Sequence, residues 1–126
     1  GKFCYMSPEQ ASGQSVDHLS DVFSLGTVSY ELFTGIRPFE RETDLATLEC
    51  VKAAKFDPPS LHRPELPQSI NDAICRALAK DPSERFQEVM ILGESIVKGL
   101  GNIKQANELE MSKQRLSARW IVISWS

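Results

Sequence analysis

The sequence predicts an all-α body, and three observations carry that expectation. Ser20 and Asp21, both good N-cap types, open a run in which Val22, Phe23, Leu25, Val28, Tyr30, Leu32 and Phe33 cover nearly every side of a helix. Farther on, Ile70, Ala73, Ile74, Ala77 and Leu78 fit the i, i+3, i+4, i+7, i+8 template at every position. No strand signal precedes residue 119.

The elements follow in order. Gly1 to Leu19 reads as turn-rich, with a short helix over 9–12 that stops at Gly13, then a polar loop through Ser15 and Asp17. The helix opened by Ser20 and Asp21 is stopped by Gly35 and sealed by Pro38. Being apolar all round, it is expected to be the buried centre of the fold. A second helix is expected over 44–54, capped by Thr43 or Asp44, with Leu45, Leu48 and Val51 on one side. Asp57-Pro58-Pro59, Pro64 and Pro67 then hold an ordered, extended loop. The third helix begins near Gln68 and ends by Asp81-Pro82. A fourth follows Arg85, turns Phe86, Val89, Leu92, Ile96 and Val97 inward, and fades at Gly99 and Gly101. Residues 104–116 are highly charged and suit a solvated helix, whereas Trp120-Ile121-Val122-Ile123-Ser124-Trp125 is β-prone and has no evident partner.

Bulk properties narrow the function classes. The chain has 126 residues, 41% hydrophobic and 25% charged, which suits one globular domain. Its net charge is −3 and its Lys and Arg residues are scattered, so no electrostatic footprint for nucleic acid is present and no nucleic-acid partner is expected. Cys4, Cys50 and Cys75 are far apart and lie in no metal-ligand spacing. That pattern argues for reduced, core-filling thiols and a cytoplasmic setting. No apolar run reaches the roughly 20 residues of a membrane span. The opening Gly1-Lys2-Phe3 has no initiator Met and reads like the middle of a longer chain.

Four segments then carry a family resemblance. Tyr5-Met6-Ser7-Pro8-Glu9 resembles the motif closing the activation segment of protein kinases, with Ser7 standing where Ala is usual. Ser20-Asp21-Val22-Phe23-Ser24-Leu25-Gly26 resembles the start of that family's F helix. Gly35-Ile36-Arg37-Pro38-Phe39 is similar to the turn after it, and Lys80-Asp81-Pro82-Ser83-Glu84-Arg85-Phe86 to the segment between the last two helices. Their order and spacing cover residues 1 to about 98, and the wording is most similar to bacterial Ser/Thr kinases of the eukaryotic type. Residues 1–100 are accordingly expected to form part of a kinase C-terminal lobe, and 101–126 a charged tail ending in a short apolar segment.

The resemblance assigns expectations to single residues. Glu9 and Arg85 match the family's buried ion pair; taken alone they would read as two surface charges. Asp21 matches an aspartate that holds the catalytic loop from below. That loop has no counterpart in this sequence, so Asp21 is expected to keep only a helix-capping role. Gly1, Lys2 and Tyr5 fall in the loop that receives the substrate residue after the phosphorylated one, with Lys2 where most Ser/Thr kinases have Thr. The 44–54 helix matches a docking surface of the family, although Glu49 and Lys52 on it also suit an ordinary solvated face.

Phosphoryl transfer needs a phosphate cradle, a Lys on the nucleotide, Mg²⁺ ligands and a base. The sequence has no GxGxxG, no His-Arg-Asp and no Asp-Phe-Gly. The acidic pairs Glu40/Glu42 and Glu108/Glu110 lie in polar segments, and His18 and His62 are isolated. The resemblance therefore implies ATP, Mg²⁺ and a Ser/Thr-containing protein substrate for a complete parent kinase, and no cofactor or catalytic residue in this chain. Two other readings stand beside it, a non-catalytic interaction module and an unrelated helical adaptor. The tail from Arg119 suits either out-of-frame sequence or the opening of a membrane span.

Overall fold

The computed structural model describes the backbone of residues 2–125 and the side chains of residues 3–105 and 107–115. Among them there is no strand. A 3-10 turn, Lys2–Tyr5, leads into α1, Pro8–Ala11. A capping box starts α1: the Ser7 hydroxyl accepts from the Gln10 N–H, and the Gln10 side chain accepts from the Ser7 N–H. Next come α2, His18–Thr34; α3, Asp44–Ala53; α4, Pro59–His62; and α5, Gln68–Ala77. A second 3-10 turn, Pro82–Glu84, precedes α6, Val89–Trp125.

The N-cap of α2 is Asp17, whose carboxylate accepts from the Leu19 N–H at 2.9 Å, and neither Ser20 nor Asp21. Asp21 lies inside the first turn, exposed, and its expected capping role is not made. Gly35 ends the helix in the left-handed conformation, at φ 75°. Thr43 caps α3 by accepting from the Ala46 N–H.

Two clusters form one core around α2. Phe23, Tyr30, Phe39, Val51, Ile70, Ile74 and Leu78 fill the larger, and Val22, Ala73, Ala77, Phe86 and Leu92 the smaller. All five template positions of α5 are buried. Helices α2 and α5 cross closely at Gly26, where an added Cβ would lie 2.8 Å from the Ala77 Cβ.

Several sequence expectations are corrected. Helix α2 is not buried all round: Val28 is 50% and Leu32 77% exposed, on the side that also carries Asp21. Helix α3 turns Thr47, Cys50 and Val51 inward and leaves Leu45 70% exposed, because its start faces solvent. The expected loop over 57–67 contains α4. Val97 is 68% exposed on α6, while Leu92 carries the packing.

Helix α6 also runs straight through Gly99 and Gly101. Gly99 is a contact residue and not a stop. A Cβ there would come within 2.4 Å of the Ile70 side chain, so only glycine lets α6 lie against α5. Backbone helix continues across the β-prone 120–125 run. A strand there would leave its N–H and C=O groups without a neighbouring strand, whereas a helix pairs them internally. The preceding Lys, Gln, Glu, Met and Arg residues are strong helix formers that carry the helix toward it.

Candidate functional site

The best-built polar site joins three distant segments. Arg85 is fully buried, and its guanidinium donates through all five of its N–H groups. Nη1 donates to Glu9 Oε2 at 2.7 Å and Nη2 to Glu9 Oε1 at 2.9 Å, a bidentate fork. The remaining donors reach the carbonyls of Leu19 at 2.9 Å, Lys80 at 3.1 Å and Ala79 at 2.8 Å. The Phe23 ring lies 4.9 Å below the guanidinium. Ser20, buried in the first turn of α2, donates its hydroxyl to Glu9 Oε2 at 2.7 Å. Burial pushes the Glu9 carboxyl up, but the hydrogen bonds from Arg85 and Ser20 and the Arg85 charge outweigh it and hold the group at about 2.

Paired in this way, Glu9 accepts three hydrogen bonds and Arg85 has no N–H left to donate elsewhere. The arrangement ties α1, the start of α2 and the α5–α6 connection together. Ser20 and the three carbonyls are partners that sequence reasoning missed. The signal available for Ser20 was its place beside Asp21 in the matched Ser-Asp pair.

The second site is the turn before α1. The Tyr5 hydroxyl donates to the Glu31 carboxylate, and the Ser24 hydroxyl donates to the Tyr5 carbonyl at 3.0 Å, so both ends of this residue are tied to α2. The hydrogen bond to Glu31 raises the Tyr5 phenol above its ordinary value, and burial adds to the shift. Glu31 also faces Arg37 at 3.5 Å, and Arg37 pairs with Glu40 at 2.8 Å, so Glu40 is an ion-pair partner on the surface and not simply solvated. Tyr5, Glu31, Val28 and Leu32 line an open groove of about 570 Å³. Gly1 and the Lys2 side chain, assigned to the same loop, lie outside the described residues. Asp21 is not drawn to Tyr5, Glu9 or Arg85 by any hydrogen bond among the described residues.

His18 and His62 fall in neither site: His18 Nε2 lies 3.0 Å from the Gln87 carbonyl, and His62 packs its ring edge-on to Tyr30. Among the described residues no group of three or more His, Cys, Asp or Glu side chains converges as metal ligands would.

An all-α body held by a Glu–Arg fork between a Ser-Pro-Glu turn and the segment before the last helix defines a protein kinase C-terminal lobe. The chain belongs to the protein kinase domain family, whose model matches residues 1–97. It is 43% identical over 86 residues to the tyrosine-protein kinase MasK of Myxococcus xanthus, a match covering 68% of this chain and 13% of that protein. Over 114 residues it is 34% identical to a probable serine/threonine-protein kinase of Clostridium perfringens, covering 90% of this chain and 16% of the relative. With the serine/threonine-protein kinase PknB of Mycobacterium tuberculosis it shares 37% over 94 residues, covering 75% and 15%. The fold is similar to the twitchin kinase region of C. elegans, with a TM-score of 0.68 and 29% identity, covering 73% of this chain and 16% of that one. The chain thus matches well under a fifth of the length of each of these proteins.

Proposed function

We propose that this chain is the C-terminal-lobe part of a Ser/Thr protein kinase whose complete catalytic domain transfers the ATP γ-phosphate to Ser or Thr of a protein substrate. The Glu9–Arg85 fork, set in the ordered motifs around it, is the observation that carries this reading. The names of the clostridial and mycobacterial relatives support the Ser/Thr choice, and the tyrosine-protein kinase relative makes it a point to test. In this reading the Tyr5 turn and its groove face the protein substrate, ATP and Mg²⁺ are held by residues outside the 126, and the three scattered cysteines suit a cytoplasmic setting. Among the described residues no helix is long and apolar enough to cross a membrane.

The 126 residues alone are proposed to be inactive, since their sequence carries no GxGxxG, His-Arg-Asp or Asp-Phe-Gly motif. The test has two arms. The DNA upstream of Gly1 should carry an open frame encoding His-Arg-Asp and Asp-Phe-Gly; an immediate stop codon counts against the parent kinase. Transfer of labelled γ-phosphate by the purified chain, above background, counts against its inactivity.

A second reading is a non-catalytic protein-binding module, favoured by the exposed Val28 and Leu32 beside the Tyr5 groove. A cooperative thermal melt of the isolated chain supports the module. A broad, non-cooperative melt supports a lobe that needs the rest of its domain.

A further inference from the structure

A second groove, of about 300 Å³, is lined by Glu9, Ser12, Gln14, Lys52 and Lys80 together with two prolines. Its two ammonium groups come from separate elements, Lys52 from the last turn of α3 and Lys80 from the segment after α5. Its single carboxylate is already engaged. Glu9 is forked by Arg85 and receives the Ser20 hydroxyl, so its negative charge is answered inside the protein. Lys52 has one carboxylate near it, Glu49, at 3.8 Å, too far for a good hydrogen bond. Among the described residues Lys80 has no ion-pair partner within salt-bridge distance. Ser12 and Gln14, also lining the groove, are residues with neutral hydrogen-bond donors.

Two surface cations, one of them only loosely paired with Glu49, and two neutral donors around a half-enclosed groove suit a compact dianion better than a single carboxylate. From this we infer that the groove binds a phosphoryl group carried on a protein segment, as phosphoserine or phosphothreonine, with Lys52 and Lys80 on its oxygens. Lys52 also offsets the negative end of α3, a role that asks nothing of Lys80 and needs no ligand. The inference does not rest on the chain being part of an active kinase.

Titration calorimetry on the whole 126-residue chain tests it, using a phosphothreonine peptide, the same peptide unphosphorylated, and inorganic phosphate. The phosphopeptide is expected to bind, to weaken with added salt, and to lose about tenfold in affinity in Lys52→Ala and in Lys80→Ala. Glu49→Gln frees Lys52 and is expected to tighten binding. Both lysine side chains sit at the surface, and circular dichroism of the variants confirms that they fold. Equal binding of the two peptides, or binding unchanged in the double Lys52→Ala/Lys80→Ala variant, overturns the site. Inorganic phosphate binding as tightly as the phosphopeptide overturns the protein-segment assignment.

Discussion

Arg85 and Glu9, 76 positions apart, meet in a buried bidentate fork. Every N–H of the guanidinium has an acceptor, and the carboxylate has a third donor in Ser20. Replacing Arg85 by Ala strands the Glu9 charge in a buried site and is expected to cost about 3–5 kcal/mol. Urea denaturation of the variant measures this. A loss near half a kcal/mol, the size of an exposed pair, would show that the fork does not hold the fold.

The same pair predicts an acid dependence. Glu9 titrates at about 2 in the folded chain against an ordinary value near 4.5, so the unfolded chain takes up its proton first. The stabilisation is therefore complete above about pH 4.5 and drains away as pH falls toward 2. The difference in stability between wild type and Glu9→Gln, taken at each pH, reads this group. That difference should hold steady above about pH 4.5 and shrink below it. A difference that stays constant down to pH 2 contradicts the assignment.

At the start of α2 the capping energy belongs to Asp17. Asp17→Ala should cost about 1 kcal/mol, through loss of the bond to the Leu19 N–H. Asp21→Ala, at an exposed site with no such bond, should change stability by less than about 0.5 kcal/mol. Thermal melts of the two variants decide between them, and the reverse ranking would move the cap.

Two glycines on α6 should respond in opposite directions. Gly99→Ala places a methyl group 2.4 Å from the Ile70 side chain and should destabilise by about 1–3 kcal/mol. Gly101→Ala meets open space and should stabilise the helix by up to about 1 kcal/mol. Equal effects would mean that α6 does not lie against α5 at Gly99.

Tyr5→Phe removes the donor to Glu31 and should cost roughly 1 kcal/mol, while leaving α1 and its capping box in place. Amide exchange provides the readout: protection should fall in the 3-10 turn Lys2–Tyr5 and persist in α5. Uniform loss of protection across the chain would assign Tyr5 to the global fold and not to the turn.

The elements were legible because their signals are local. Ile70, Ala73, Ile74, Ala77 and Leu78 repeat at helical spacing, and all five are buried. Gly35 stops α2 where the left-handed conformation is needed. The misreadings also have local causes. Asp17 and Asp21 are equally good caps as residue types, and only the backbone path decides which carboxylate reaches a free N–H. Val28 and Leu32 look like core residues, and their exposure depends on which neighbours pack on α2. Gly99 carries the same chemical signal whether it ends a helix or admits a neighbouring side chain.

By itself the sequence determined the all-helical class, the order of the motifs and the family they resemble, since periodicity, capping and short motifs depend on residues close together in the chain. Tertiary structure alone decided that Arg85 would spend all five donors, that Ser20 would join Glu9, that one side of α2 would stay open, and that Lys52 and Lys80 would share a groove. Those facts rest on contacts between segments tens of residues apart. Such contacts follow from how the helices pack, and packing answers to shape and burial over the whole body.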